Sequence, residues 1–304
     1  MGTEPSEGRA SEGQASEGQA SEVETSTGPT TVRRSEAEFR RHVLNTAQEM
    51  VDELGGLKVT VDDLSFEKVI ERSQVSRSTA YRYWPSLEQF HDDVLLELAG
   101  RTWNGTAAFD PETISMVTEL VGSNIAKLVT AEGRRGLFRE GVRIGVARNF
   151  AAVCRSAEWR TYVALTATLL SYPKDSEAHC RTSAALRRSE SRFLDYMTEF
   201  YQDMAIVLGF RARHPDGLEL LAGAGAAVLE GLALRQILTP DLIGRVLTVE
   251  GPDGAEEWGL PALCFLAVAD SLVEPLPDYD PTNALAEYFN RVSRRRLTPS
   301  ERLS

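Results

Sequence analysis

The sequence has few of the residues from which covalent or metal-centred chemistry is built. Its 304 residues include three cysteines and four histidines, with no Cys-x-x-Cys pair and no Cys/His zinc spacing among them. The HExxH, GxSxG, P-loop and dinucleotide-binding patterns are also missing. We therefore expect a protein that is not an enzyme and has no cofactor or metal. The widely spaced cysteines favour reduced thiols, with a redox-sensing thiol as the alternative.

Long hydrophobic runs are missing as well. No stretch of about 18 apolar residues is present, which is the length that a membrane-spanning helix needs. The N-terminus is acidic and contains no apolar segment of the kind found in signal peptides. These features predict a cytoplasmic protein without a membrane partner.

Basic charge is not in excess either. The chain has 33 Lys and Arg against 45 Asp and Glu, a net charge of −12, whereas most nucleic-acid-binding domains are basic overall. Residues 6–20 repeat the units SEGRA, SEGQA and SEGQA. Such small, polar and acidic units cannot bury a core, so residues 1–34 are predicted to be a disordered, low-complexity tail. Positive charge is local: Arg72, Arg77 and Arg82 occur with no acidic residue between Arg72 and Trp84.

A first helix is predicted to begin after Ser35. Ser35 and Glu38 have the spacing of a capping box, and Gly55-Gly56 supplies a left-handed end. Apolar residues recur at helical spacing between these points and form one stripe. That stripe comprises Phe39, Val43, Ala47, Met50, Val51 and Leu54.

The segment Ser65 to Tyr83 has the pattern of a helix-turn-helix motif. We predict that Ser65 caps a helix from Phe66 to Ser73, and that a turn at 74–76 leads to a second short helix capped by Ser76. Pro85 cannot continue this helix. Four residues share its polar face, while three others point inward. The polar residues are Arg77, Ser78, Tyr81 and Arg82; the inward ones are Val75, Ala80 and Trp84.

Taken alone, two short amphipathic helices also suit any α-helical bundle.

The next helix is predicted to begin at Ser86, with Gln89 completing a capping-box spacing. Its apolar positions are Leu87, Phe90, Val94, Leu95 and Leu98.

The stretch VSRSTAYRYWPSLEQF resembles the N-terminal domain of the tetracycline-repressor (TetR) family. The residues that match the family pattern are Val75, Ser76, Thr79, Tyr81, Tyr83, Ser86 and Glu88, and the resemblance covers about residues 36–98. Three positions depart from that pattern. Gln74 replaces a turn glycine, which predicts a positive φ at a non-glycine residue; Ala80 replaces a larger apolar residue; and Leu87 replaces a lysine that in the family contacts phosphate.

The resemblance implies a homodimeric, ligand-responsive transcription regulator in the bacterial cytoplasm, associated with the nucleoid. It implies a repressor that a small-molecule effector releases from a palindromic operator in double-stranded DNA. Arg77 is the residue we expect to read a base, because arginine pairs bidentately with guanine. The predicted DNA-binding residues are Ser65, Phe66, Ser76, Arg77, Ser78, Thr79, Tyr81, Arg82 and Tyr83. The alternative function is an all-α ligand-binding or protein-interaction module with weakened DNA binding.

The remainder of the chain is predicted to be entirely helical. Predicted helices span 111–131, 136–153, 157–172, 182–208, 216–238, 258–274 and 281–296. The expected fold is therefore all-α, with a three-helix DNA-binding domain at 35–98, an effector-binding and dimerisation domain at 99–296 and a tail at 297–304. Helices at 218–238 and 258–272 are predicted to form the dimer interface; the alternative is that they fill the core of one subunit. The aromatic residues predicted to line a ligand cavity, or to be ordinary core residues, are Trp103, Phe138, Trp159, Tyr162, Phe193 and Tyr196.

Overall fold

The computed structural model describes residues 35–57, 64–101, 111–251 and 254–297. Within these ranges the chain forms twelve α-helices, one 3₁₀ helix and two small antiparallel sheets. The predicted all-α character is therefore confirmed. The predicted tail at 1–34, the link between the first two helices at 58–63, and Trp103 lie outside the described residues.

The first four helices form the N-terminal part of the fold. They are α1 (Glu36–Glu53), α2 (Phe66–Arg72), α3 (Arg77–Tyr83) and α4 (Leu87–Arg101). The capping box of Ser35 and Glu38 is present, and Ser86 Oγ accepts a hydrogen bond from the Gln89 amide at 3.2 Å. Ser65 occupies the N-cap position of α2, but its side chain makes no capping hydrogen bond, so that detail of the prediction was wrong.

The remaining elements are longer. The helices are α5 (Pro111–Ser123), a 3₁₀ helix (Ile125–Val129), α6 (Ala131–Arg155), α7 (Ala157–Ser171), α8 (Glu177–Leu208), α9 (Gly217–Leu238), α10 (Pro240–Ile243), α11 (Leu260–Leu272) and α12 (Pro281–Leu297). The strands are β1 (Phe210–Ala212), β2 (Val246–Gly251), β3 (Gly254–Gly259) and β4 (Val273–Pro275).

The prediction of helices alone after residue 111 was wrong at the four strands. β2 pairs with β3 as a hairpin in which Leu247 faces Trp258, and β1 pairs with β4 in the register Phe210 to Pro275. The residues of β2 alternate between exposed and half-buried positions, because one face of the hairpin covers α6 and α11. Gly133, which falls between the helices predicted at 111–131 and 136–153, lies inside α6, where its amide donates a hydrogen bond to the Thr130 hydroxyl.

The core of the N-terminal part is built around the indole of Trp84, which is fully buried. Phe66 and Phe90 stack at 4.2 Å between ring centroids, and Trp84 meets Phe90 edge-on at 5.6 Å. The predicted stripe of α1 enters this core, except that Leu54 is 52% exposed at the helix end. Leu87 is also 52% exposed, so its predicted apolar role in α4 was wrong.

The N-terminal part shares its core with the helices that follow. Ala164 and Leu165 of α7 and Ala185 and Leu186 of α8 belong to the same buried cluster as α1 to α4. At the other end of the molecule, α9 packs against α6, α8 and α11. The approach of α9 to α11 is close: a Cβ on Gly225 would lie 2.5 Å from the Phe265 ring, so only glycine fits there.

One described helix, α9, is long and apolar enough to cross a membrane by length and composition alone. A third of the residues in its most apolar 18-residue stretch are buried against the rest of the chain. This is weak evidence for a membrane span, because core helices pass the same test.

The turn between α2 and α3 contains a strained residue. Gln74 has φ +54°, as expected from its replacing a glycine, and its side chain is exposed. Left-handed geometry costs an L-residue roughly 1–2 kcal/mol, whereas glycine adopts it freely. Because glycine also loses more entropy on folding, the net cost of glutamine here is smaller than that figure.

We predict that Gln74→Gly raises the free energy of unfolding by about 0.5–1 kcal/mol. Gln89→Gly is the matched control: this glutamine is also exposed but lies in α4, so we expect a destabilisation of about 0.5–1 kcal/mol. Urea unfolding of both variants measures whether each substitution raises or lowers the free energy of unfolding. Destabilisation by Gln74→Gly would show that the side chain makes a contact worth more than the backbone strain.

Candidate functional site

The face of α3 is the first candidate site. Arg77, Ser78, Tyr81 and Arg82 are all exposed on it, whereas Ala80 is fully buried, as the helical spacing predicted. The Ser76 hydroxyl accepts the Thr79 amide at 3.2 Å and so begins the helix. This short helix therefore presents two guanidinium groups and several hydroxyls together on one surface.

A carboxylate from α2 holds two of these side chains. Glu67 Oε1 accepts a hydrogen bond from Arg77 Nη2 at 2.6 Å and another from the Tyr81 hydroxyl at 2.6 Å. The Arg77 guanidinium also lies 5.8 Å from the centre of the Tyr81 ring. Exposed ion pairs of this kind contribute little to stability, so a stronger partner can displace Glu67 at small cost.

The other arginines of the local basic patch differ in their partners. Arg72 forms a two-pronged ion pair with Glu53 at 2.5 and 2.6 Å, and this pairing raises the pKa of Arg72 and lowers that of Glu53. Arg82 donates to the Tyr83 hydroxyl at 3.3 Å and has no carboxylate partner within the ranges described. Arg82 is therefore the cation of this patch that is immediately available to an anion.

Not every predicted DNA-binding side chain lies on this surface. Phe66 is 3% exposed and packs in the core, so only its main chain could reach a partner. Tyr83 is half-buried, with its ring 4.9 Å from that of Phe39. Thr79 is also half-buried, and its hydroxyl lies 3.0 Å from that of Ser76.

A second candidate site is an apolar cavity of about 100 Å³ in the helical body. It lies among residues of α5, α6, α8, α9 and α11, and a smaller pocket of about 20 Å³ adjoins it. The two share four lining residues: Asn149, Tyr201, Leu229 and Phe265. Asn149 is only 9% exposed, and its Oδ1 has no hydrogen-bond partner in the described part of the chain.

Carboxyl groups lie beside the smaller pocket. Glu230 of α9 lines it, and burial together with the nearby Glu190 carboxylate raises the pKa of Glu230 to about 7. Burial also raises the pKa of Glu190, whose Oε2 accepts a bond from the Tyr162 hydroxyl at 3.3 Å. Burial and both carboxylates raise the pKa of Tyr162 as well. The three groups therefore form one acidic cluster on α7, α8 and α9.

The predicted cavity aromatics have different positions. Phe138 lines the larger cavity and Phe193 the smaller pocket, while Trp159 is buried in the adjacent core cluster. Tyr196 is 40% exposed and lines neither space, so its inclusion was wrong. Sequence reasoning missed Asn149 and Glu230; the signal for Glu230 was a lone acid within the otherwise apolar stretch from Leu220 to Leu234.

A larger polar cleft of about 260 Å³ lies between α4 and the start of α8. Its charged groups already pair with one another. Asp93 accepts a bond from Arg40 at 2.7 Å and lies 3.6 Å from Arg181, and Asp92 accepts a bond from the Tyr172 hydroxyl at 3.2 Å. This cleft is therefore a joint between the N-terminal helices and the helices that follow. It is a weaker candidate for ligand binding than the apolar cavity.

Two arginines of α6, Arg139 and Arg143, are likewise engaged. Arg139 pairs with Glu256 at 3.3 Å and lies 5.1 Å from the centre of the Trp258 ring. Arg143 pairs with Glu140 at 2.6 Å within α6. These contacts hold the hairpin and the helix surface, so they do not leave an open site for an anion.

An exposed apolar stripe, the α9 stripe, runs along the outer side of α9. Its members follow one another at alternating intervals of four and three residues, so they form one line along the helix. They are Leu220, Ala224, Ala227, Gly231, Leu234 and Leu238. Leu221, Phe265 and Leu266 lie on the same two helices and are buried within the subunit. These helices therefore contribute to the core of one subunit, while the exposed side of α9 stays available for an interface.

Comparison of the chain with protein-family models, with curated proteins and with solved structures found no match. The geometry of the two candidate sites and of the α9 stripe therefore carries the functional argument.

The acidic cluster predicts an unusual pH dependence of stability. The carboxyl of Glu230 binds a proton more tightly in the folded chain, where its pKa is about 7, than a carboxyl with the ordinary glutamate pKa of 4.5 does. Its contribution to stability is therefore full below pH 4.5 and is lost as the pH rises through about 7. We expect Glu230→Gln, which cannot ionise, to avoid this loss.

Thermal and urea unfolding at pH 5 and pH 8 measures the effect. The Glu230→Gln variant should match the wild type near pH 5 and exceed it at pH 8 by something on the order of 2 kcal/mol. Glu219→Gln, at an exposed position in the first turn of the same helix, should differ little from the wild type at both pH values. Parallel stability curves for wild type and Glu230→Gln would contradict a raised pKa at Glu230.

Proposed function

We propose that this protein is a dimeric, ligand-responsive regulator of transcription that binds DNA through α3, in the manner of the TetR family that its N-terminal sequence resembles. The observation that carries the proposal is the exposed face of α3, where Arg77, Tyr81 and Arg82 lie beside Ser78. Arginine side chains can pair with guanine in the major groove, and hydroxyls commonly bind phosphate. The proposed target is a palindromic operator in double-stranded DNA, and the proposed role is repression.

The overall negative charge limits where DNA can bind. A net charge of −12 repels the phosphate backbone from most of the surface, so attraction depends on the few arginines near α3. Glu67 adds to this restriction because a DNA phosphate must displace it from Arg77 and Tyr81. We therefore expect selective binding that weakens steeply as salt is added.

A homodimer is supported by the α9 stripe. A helix that is apolar on every side is normally buried on every side, yet α9 leaves one side exposed. A second copy of α9, packed across a two-fold axis with the neighbouring α11, would cover it. Two α3 helices in such a dimer can meet successive major grooves roughly 34 Å apart.

The helix α8 provides a route from the cavity to the DNA-binding part. It runs without interruption for 32 residues, from Glu177 to Leu208. Its first half packs on α4, where Ala185 and Leu186 enter the N-terminal core, and its second half lines the cavity through Phe200 and Tyr201. An effector that fits the cavity better in one position of α8 than in another would shift α4 and change the spacing of the two α3 helices.

The alternative of a protein-interaction module with weakened DNA binding is favoured by one observation. Leu87 stands, 52% exposed, where the family has a phosphate-binding lysine, and Arg77 is already paired with a carboxylate. DNA binding distinguishes the two functions.

The test is fluorescence anisotropy with DNA that flanks the protein's own gene, at salt concentrations from about 50 to 200 mM, over which phosphate contacts lose much of their strength. The regulator predicts specific binding that Arg77→Ala weakens by about 1–3 kcal/mol, or roughly 5- to 150-fold. Glu67→Gln should strengthen binding, because it removes both the competitor of the phosphate and one negative charge.

The exposed Arg187, which lies in α8 and not in the helix-turn-helix segment, supplies the control for charge alone. Arg187→Ala removes one positive charge away from α3 and should leave specific affinity nearly unchanged. Equal losses in Arg77→Ala and Arg187→Ala would mean that Arg77 does not read a base. Absence of specific binding by the wild type would favour the interaction module.

The dimer predicts a selective effect of charge on the α9 stripe. We expect Leu234→Glu, which places a charge in the proposed interface, to convert the dimer into monomers in light scattering coupled to gel filtration. Leu170→Glu is the matched control, since Leu170 is an exposed leucine (86%) on α7, outside the stripe. A monomeric wild type, or a dimer that survives Leu234→Glu, would remove the α9 stripe from the interface.

A further inference from the structure

The acidic cluster of Glu190, Glu230 and Tyr162 is not balanced by positive charge. Glu190 has a hydrogen bond from Tyr162, and Glu230 has neither a hydrogen bond nor an ion pair with any residue that the structure describes. No cation contributes to the pKa of either carboxyl. Buried carboxylates usually pair with a cation or bind a metal, because removal of their hydration is costly.

An independent observation lies in the same pocket. Asn149 of α6 is more than nine-tenths buried and lines both the larger cavity and the smaller pocket, and no described residue donates a hydrogen bond to its Oδ1. A buried amide oxygen without a hydrogen bond is destabilising, because the loss of its hydration is not compensated. A group that donates hydrogen bonds, placed between Asn149 and Glu230, would satisfy both side chains.

The rest of the lining is apolar and aromatic. Phe138 and Phe200 line the larger cavity, Phe193 and Met197 the smaller pocket, and Phe265 lies against both. A volume of about 100 Å³ suits one ring or a short alkyl chain. Aromatic rings close to a cation add a further attraction.

From this geometry we propose that the cavity binds a small organic amine, with its apolar body among Phe138, Phe200 and Phe265 and its ammonium group between Glu230 and Asn149. The ammonium donates hydrogen bonds to the Glu230 carboxylate and to Asn149 Oδ1. Glu190, held by the Tyr162 hydroxyl, adds negative charge beside the same site. Binding thus supplies the positive charge that the folded chain lacks at this point.

Other classes of ligand fit the site less well. A metal ion is disfavoured because no group of three or more metal-binding His, Cys, Asp or Glu side chains occurs in the described ranges. An anion would be repelled by Glu190 and Glu230. A neutral hydrocarbon would fill the apolar part and leave both Asn149 and Glu230 without partners.

The role of this amine as an effector rests on the proposed function, but its binding does not. Glu230 lies on α9, whose outer side carries the proposed dimer interface, and Glu190 lies on α8, which contacts α4. Drawing α8 and α9 together around an ammonium group would therefore act on both elements that set the spacing of the α3 helices.

The test uses three ligands of equal chain length without DNA: hexylamine, hexanol and hexanoate. Calorimetry on the full chain at pH 8, where Glu230 is largely ionised and a primary amine is still protonated, compares their affinities. We expect hexylamine to bind at least ten times more tightly than hexanol, and hexanoate to show the weakest binding.

Two variants locate the ammonium group. Glu230→Gln keeps the shape of the side chain and should lower hexylamine affinity at least tenfold while leaving hexanol affinity unchanged. Glu219→Gln, on the same helix but exposed, removes the same charge and should leave both affinities unchanged. Circular dichroism of each variant verifies that it is folded.

Equal affinity for hexylamine and hexanol would overturn the proposal, as would no detectable hexylamine binding or equal effects of Glu230→Gln and Glu219→Gln. The DNA-binding experiment is separate. If the chain binds the amine but no operator, the amine site is retained and the regulator is rejected. If it binds an operator but no amine, the regulator is retained and the amine site is rejected.

Discussion

The joint around the Asp93 carboxylate is the contact on which the rest of the arrangement depends. Asp93 accepts the indole N–H of Trp84 at 2.9 Å and the Arg40 guanidinium at 2.7 Å, and it lies 3.6 Å from Arg181. These four residues come from α4, the end of α3, α1 and α8. A single half-buried carboxylate thereby fixes the end of α3 relative to the helix that leads to the cavity. Its desolvation is offset because charged and neutral donors surround it.

The two candidate sites handle negative charge in opposite ways. At α3, Glu67 is exposed and balanced by Arg77, so its charge costs little and can be exchanged for a phosphate. In the helical body, Glu190 and Glu230 are half-buried and pair with no cation among the described residues, so their negative charge opposes folding. Sites of the second kind are common where a ligand completes the structure, because the folded chain then gains most from binding.

The sequence predicted the N-terminal part well because its signals are local. Capping residues such as Ser35 and Ser76, and the positive φ at Gln74, follow from the chemistry of a few neighbouring residues. The hairpin of β2 and β3 was missed because its two six-residue strands are short and lie between segments with strong helical patterns. Phe66 was predicted to be a DNA-binding residue, but its side chain is buried, because the first residue of α2 packs against Trp84 and Phe90.

By itself, the sequence determined the helical character of the chain, the limits of most helices and the polar face of α3, since these depend on spacing and capping within one segment. Only the tertiary structure decided which charges meet. It paired Glu67 with Arg77, joined Asp93 to three other segments, and left Glu190 and Glu230 together without a cation. The physical reason is that the free energy of a charge depends on its surroundings in space, and those surroundings come from helices far apart in the chain.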